Sequence, residues 1–275
     1  YDTVAILPPF KKIIIDEAHR LEAVATANLG YTISKLRIIK LLGRLINLKD
    51  NRKGLLQYLK NKLRDVSSAH DKSIAAKITD MINTEILDAR QRLYETVQMI
   101  FDDISNAVSN YVVSEGLQKN RDEETKLRVT TSLISTDLWQ GVIETGLKAL
   151  SVDILKFASL LKLLEDEIGG LSKTSQDMLS SVLIDISSCK MRLRLAANDL
   201  VFFITTNERS CKWMEVKRYR ENPAVRFCAA PLSVSEDLKA CLYDNYNTII
   251  LTSATLAINK NFKFFKDDIG LHQTP

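Results

Sequence analysis

The chain has 275 residues, 45% of them apolar, with 9 glycines, 5 prolines and a formal charge of +4. This length and apolar share support one large or two modest globular domains, and the scarcity of glycine and proline beside abundant Leu, Lys, Ile, Glu and Ala favours helix above its usual share. No run approaches the roughly 18 apolar residues that a membrane helix requires, and the first residues lack the order of a signal peptide, so the expectation is a cytoplasmic protein with no membrane partner.

Residues 1–10 form an approach segment punctuated by Pro8 and Pro9. They lead into the apolar run Ile13, Ile14 and Ile15, which predicts a parallel strand from Lys12 to Ile15 covered on both faces. A native amino terminus would rarely lie so close to a buried strand. The chain therefore reads as an internal fragment whose sheet is largely elsewhere.

From about residue 36 to residue 204 the period becomes helical. Leu36, Ile39, Leu42, Leu45 and Ile46 predict one amphipathic helix with Ser34 as N-cap, and Leu55, Leu56, Leu59 and Leu63 predict a second. Ile74, Ile78, Ile82, Ile86, Leu93, Val97, Ile100, Ile104, Val108 and Tyr111 recur at spacings of three, four or seven, which predicts one long helix. The charged stretch 119–126 interrupts this pattern, and residues 127–133 are expected to be briefly extended.

Helix resumes after Ser135 or Thr136 along Leu138, Val142, Leu150, Ile154, Phe157, Leu161 and Leu164. Gly169 and Gly170 stop it, and Ser172 is placed to cap the next helix, which carries Leu179, Leu183, Ile186, Leu193, Ala197, Leu200 and Ile204. Three stripes of this length cannot bury themselves singly, so an antiparallel bundle follows. Residues 211–219 and 224–230 predict two strands flanking a turn at residues 220–223; a helix over 234–243 and a second apolar strand over 248–251 complete the pattern.

Charge is unevenly spread. Between residues 35 and 64, Lys35, Arg37, Lys40, Arg44, Lys49, Arg52, Lys53, Lys60, Lys62 and Arg64 face one acid, Asp50, which predicts a positive surface; a solvated helix face is the alternative. The cysteines Cys189, Cys211, Cys228 and Cys241 include no CxxC pair and no histidine at ligand spacing, so they read as reduced, mostly buried thiols. Core packing is the expected role of Trp139 and Trp213, with base stacking as the alternative.

The chemistry-bearing residues stand at the two strand ends. Asp16 and Glu17 directly follow Ile15, at the carboxyl end of a strand, where open α/β sheets bind ligands. A carboxylate at Asp16 can hold magnesium through water, and Glu17 can take a proton from, or orient, a water attacking a phosphate, with His19 in contact with that phosphate or with the second strand. That second strand, Ile249 to Leu251, ends in the hydroxyls Thr252, Ser253 and Thr255 around Ala254.

Together the two boxes resemble motifs II and III of superfamily 2 helicases. The stretches ILPPFKKIIIDEAHRLEAVA, CAAPLSVSEDLKACLYDNYNTIILTSATLA and FKFFKDDIGL resemble the DinG branch of XPD-like helicases, clearly over about 7–25 and 213–271 and in helical character only between them. The resemblance implies a fold that is mainly α with a small α/β part, in which a long-helix antiparallel bundle, an arch-like insert, stands on a partial RecA-like parallel sheet. It places a partial motor domain with a DEAH box at 1–30, the insert at 31–207 and the return to the motor domain with the Ser-Ala-Thr box at 208–275.

It further implies an ATP- and Mg2+-dependent DNA helicase moving 5′ to 3′ on single-stranded or forked DNA, with DNA–RNA hybrid as a further substrate and roles in repair or replication. Glu17 and His19 would be catalytic. Asp16, Glu17, Ser253 and Thr255 would face the nucleotide, with Asp16 on the metal. Arg37, Lys40, Arg44, Lys49, Arg52 and Lys53 would lie along the nucleic acid.

The sequence departs from that family by lacking a Gly-x-x-x-x-Gly-Lys-Ser/Thr loop and a second motor domain, so the segment by itself is expected to be inactive. Relatives that hold an iron-sulphur cluster place its cysteines before motif II, and the cysteines here lie after it. A helical interaction module with an incidental acidic box is one competing reading. A relative that has exchanged unwinding for nuclease action in an appended domain is another.

Overall fold

The computed structural model describes residues 10–50, 52–117, 124–205, 208–219, 222–257 and 261–271. The approach segment through Pro9, the charged residues 119–123 and the turn residues Arg220 and Glu221 lie outside them. The chain is mainly helical, with a small parallel sheet and an antiparallel sheet.

In chain order the elements are β1 (Lys12–Ile15), α1 (Leu21–Leu29), β2 (Tyr31–Ser34), α2 (Lys35–Leu45), α3 (Leu55–Leu63), α4 (Ala69–Met81), α5 (Leu87–Ser114), β3 (Thr125–Arg128), α6 (Thr131–Ile134), α7 (Thr145–Gly169), α8 (Lys173–Ile204), β4 (Ser210–Tyr219), β5 (Asn222–Pro231), α9 (Ser235–Leu238), β6 (Thr248–Leu251) and α10 (Lys263–Asp268). The π turns Ile82–Ile86, Leu138–Glu144 and Lys239–Tyr243 join α4 to α5, open α7 and extend α9. The chain divides into two compact units. One comprises residues 1–31, 207–212 and 229–275, and the other residues 32–206 and 213–228.

The larger unit is built on the long helices. Ser34 caps α2 as its type predicts, its hydroxyl accepting the Arg37 backbone N–H at 3.3 Å. The buried stripe of α2 is Ile38, Leu41, Leu42 and Leu45, whereas Leu36 stands exposed; the expected stripe is rotated by about half a turn at its start. In α3, Leu56, Leu59 and Leu63 are buried as their spacing predicts.

The long stripe from Ile74 has a feature that its spacing contains but does not announce. Ile74, Ile78, Ile82 and Ile86 repeat every four residues, which drifts around an α-helix of 3.6 residues per turn. The π turn at Ile82–Ile86 takes up the surplus, because each i to i+5 bond adds a residue to the turn, and Ile78, Ile82 and Ile86 are thereby all buried. Beyond it α5 buries Leu93, Val97, Ile100, Ile104 and Val108.

Another displacement lies at the start of α7. Trp139, Ile143 and Leu147 carry the inward face at the start of α7, not Leu138 and Val142. In α8 the inward positions likewise include Val182 and Phe203 in place of Leu183 and Ile204. The three residues between α7 and α8 leave no room for a parallel crossover, so the two helices form an antiparallel hairpin.

Ser172 does not cap α8 with its side chain. Its hydroxyl donates instead to Asp71 Oδ2 at 2.6 Å, its backbone N–H donates to Asp71 Oδ1 at 2.9 Å, and the Ser175 hydroxyl donates to Oδ2 at 2.7 Å. Asp71 thereby brings a negative charge to the positive end of α8 from the first turn of α4, and the bonds from Ser172, then Ser175, hold its carboxyl far below the ordinary carboxylate range.

Two expectations about strands are corrected here. β2 lies in a stretch given no strand by its periodicity, and the supposed extension over residues 127–133 is β3 followed by the short helix α6. β3 pairs antiparallel with β4 at the edge of a four-stranded sheet in the order β2-β5-β4-β3. Of the cysteines, all free, Cys189 and Cys228 are buried, Cys211 is half-buried and Cys241 is exposed.

The smaller unit holds β1 and β6, paired in parallel with Ile15 opposite Leu251. Its core is Ala25 of α1, Val234 and Leu238 at α9, and Ile269 after α10, with Leu251 and Tyr243 packed against it. The Tyr243 hydroxyl donates to the Ile269 carbonyl at 2.9 Å, and burial pushes its pKa up to about 12. Gly270 turns the chain at φ 81°, and a Cβ there would lie 2.6 Å from the Ser235 side chain, so no other residue fits. β1 is not covered on both faces as its apolar run predicts: Ile14 is 69% exposed and Ile250, on β6, is 47% exposed.

Candidate functional site

The parallel register of β1 and β6 sets the local geometry. Thr252 N–H donates to the Ile15 carbonyl at 2.9 Å and Ala18 N–H donates to the Thr252 carbonyl at 3.0 Å, so pairing continues past both strand ends. Asp16 and Thr252 are consequently neighbours, although they are 236 positions apart in sequence.

The Thr252 hydroxyl donates to Asp16 Oδ1 at 2.6 Å, and the Glu17 backbone N–H donates to the same oxygen at 2.9 Å. These two bonds, the hydroxyl first, lower the Asp16 pKa. Asp16 as a residue is exposed to solvent. An exposed carboxylate, fixed in direction and ionised, suits magnesium, which keeps most of its water and takes one or two protein carboxylates beside the phosphates.

Glu17 occupies the left-handed region at φ 51° and ψ 39°, the only described non-glycine residue with positive φ. For glutamate this costs about 1–2 kcal/mol. The turn sends the Glu17 side chain out into solvent with 66% of it exposed, while Ala18 is fully buried and anchors the turn. Glu17 Oε2 lies 3.2 Å from His19 Nδ1.

His19 Nδ1 is 2.8 Å from the Ser253 hydroxyl, which also lies 3.4 Å from the Thr255 backbone N–H that donates to it. Because Glu17 Oε2 can only accept, its proximity favours a proton on Nδ1, and the Ser253 oxygen then accepts from His19. Asp16, Glu17, His19, Ser253 and Thr255 therefore gather at one end of the small sheet. Thr252 belongs with them. Its importance is visible in the register, since the residue after Leu251 must stand beside the residue after Ile15.

The six cations proposed for nucleic acid divide into two kinds. Arg37 donates to the Thr32 carbonyl at 2.9 Å and lies 3.6 Å from Asp199, Arg44 bonds Asp185 at 2.5 Å, and Lys53 lies 3.5 Å from Asp50. Lys40, Lys49 and Arg52 are exposed and form no ion pair among the described residues. Trp139 is 1% exposed and packs on Phe203, which leaves no face for a base, and the half-buried Trp213 donates its Nε1–H to Glu215 at 3.1 Å. Among the described residues no group of three or more His, Cys, Asp or Glu side chains is placed to hold a metal ion, and no helix is long and apolar enough to cross a membrane.

No protein-family model matches the chain. A curated relative, the 3′-5′ exonuclease DinG of Bacillus subtilis (strain 168), is 21% identical over 269 residues, which cover 96% of this chain and 26% of the relative. The chain is thus distantly similar to DinG along nearly all of its length and spans about a quarter of the length of that protein.

Proposed function

We propose that the chain is the part of an ATP-driven nucleic-acid motor that carries its water-activating and coupling residues, interrupted by a helical insert. The observation that supports this best is the meeting of Asp16 with Thr252, and of His19 with Ser253, at the carboxyl ends of two parallel strands. The distant similarity to DinG favours the same reading. So do the exposed Ile14 and Ile250, which leave the small sheet an open apolar face for further motor structure.

Residues 1–30 and 208–275 belong in this reading to the motor domain and residues 31–207 to the insert. Asp16 would hold magnesium through water, and an ion bound there supplies charge neutralisation on the ATP phosphates. Glu17 orients the attacking water and takes its proton. His19 and Ser253 relay the state of the pocket to the strand that follows β6, and Thr255 closes its rim. Lys40, Lys49 and Arg52, with Arg37, Arg44 and Lys53 contributing less because they are already paired, meet the phosphates of single-stranded or forked DNA.

The Bacillus relative, a 3′-5′ exonuclease by name, favours a second reading, in which the protein removes nucleotides from a 3′ end. The two separate on coupling. In the motor reading Ser253→Ala lowers the ratio of DNA-stimulated to basal nucleotide hydrolysis roughly tenfold, the scale of an ordinary coupling free energy, and Ser253→Thr, which keeps the hydroxyl, restores it. A ratio unchanged in Ser253→Ala, with intact release of nucleotides from a 3′-labelled strand, would instead support the second.

A further inference from the structure

α3, α4 and the π turn at Ile82–Ile86 enclose a cleft of about 480 Å³ in the larger unit. This is within the size range of ligand sites. Three cations line it, Lys60 and Arg64 from α3 and its C-cap and Lys72 from α4, against one acid, Asp80. Its floor is apolar, formed in part by the buried Leu63 and Val66.

The cations here differ from their neighbours in what they touch. Lys77, on the same helix as Lys72, is tied to Glu167 at 2.6 Å, as Arg44 is to Asp185. Among the described residues Arg64 and Lys72 have no carboxylate partner, and Lys60 is held only by the neutral Asn83 Oδ1, at 2.8 Å. Asn83 sits in the π turn, beside the buried Ile82. A cleft with uncompensated positive charge on its rim and apolar surface beneath suits a ligand that is anionic along one edge and flat and apolar on the other.

We propose that this cleft binds the backbone of a single nucleic-acid strand, with phosphates on Lys60, Arg64 and Lys72 and a base or sugar face on the floor. It rests on the nucleic-acid part of the reading above and adds a contact surface separate from Lys40, Lys49 and Arg52. Asp80 weakens the site and sets its strength.

The test is anisotropy of labelled (dT)20 titrated with the whole protein between about 50 and 200 mM salt. Arg64→Glu with Lys72→Glu should weaken binding roughly tenfold or more and reduce the slope of log K against log salt by about 1.4, from two lost phosphate contacts at ~0.7 each. Asp80→Asn should tighten it, and a gain of affinity cannot come from a damaged fold. Competition by dTMP distinguishes a strand from a free nucleotide: weak competition supports the proposal, and dTMP binding as tight as that of (dT)20 overturns it. Absent binding, or unchanged affinity and slope in the double variant with no gain in Asp80→Asn, overturns it too. Nucleotide hydrolysis, which tests the motor reading, is read separately in the same variants.

Discussion

Glu17→Gln is expected to lower nucleotide hydrolysis by roughly 10²–10⁴-fold in the whole protein while leaving nucleotide binding within a few-fold. The substitution keeps size and removes the group that can accept a proton. The structure gives a reason to expect the loss at this residue and not at Asp16 alone. Asp16 is fixed by Thr252 and by the Glu17 N–H, whereas the Glu17 carboxylate is thrown outward by a left-handed turn whose cost the buried Ala18 helps to hold. Single-turnover hydrolysis of labelled ATP measures the effect, and nucleotide affinity by filter binding controls for it. Hydrolysis within a factor of a few of the parent protein would remove Glu17 from the role of base.

Trp139→Ala is expected to destabilise the helical unit by about 3–5 kcal/mol, a large part of the stability a domain usually has. Trp139 begins a file of aromatic rings that runs through Phe203 at 5.9 Å, Phe227 at 5.0 Å and Phe101 at 5.6 Å, tying the π turn before α7 to α8, β5 and α5. Removing the first ring leaves a cavity that the neighbouring rings, already packed on one another, cannot fill. Thermal unfolding followed by the helical circular dichroism signal should shift down by about 10 °C. A shift of less than about 2 °C would mean that the file carries little of the stability.

The two strands are legible in the sequence because apolar runs of three or four β-branched and leucine residues, ended by turn-forming polar groups, have few other solutions. Their pairing is not legible from either alone, and with it goes the role of Thr252, which follows only from Ile15 standing opposite Leu251. The long helices are legible as stripes, whereas the short helices α1, α6 and α10 are not. Where the stripes err, at Leu36 on α2, at Leu138 and Val142 before α7 and at Leu183 and Ile204 on α8, the inward place falls to a neighbouring residue, as it does to Trp139. The run of four-residue spacings from Ile74 to Ile86 is the one place where the sequence carries a readable trace of a π turn.

The basic stretch is legible as a count of charges but not as a surface. Arg37 and Arg44 meet Asp199 and Asp185, which lie far along the chain on α8, and these pairings depend on how α2 packs in the bundle. Net charge along a segment therefore overstates the cations free for a ligand. The unpaired ones, Lys40, Lys49 and Arg52, and those of the α3–α4 cleft, appear only when the helices are placed.

Hydrogen exchange of the whole protein with and without Mg2+-bound, non-hydrolysable ATP analogue tests the central assignment most directly. Amides of residues 16–19 and 252–255 are expected to slow together when nucleotide and metal are both present, since one ligand covers both strand ends. Nucleotide that binds and leaves both stretches exchanging as before, or that protects one without the other, would contradict it.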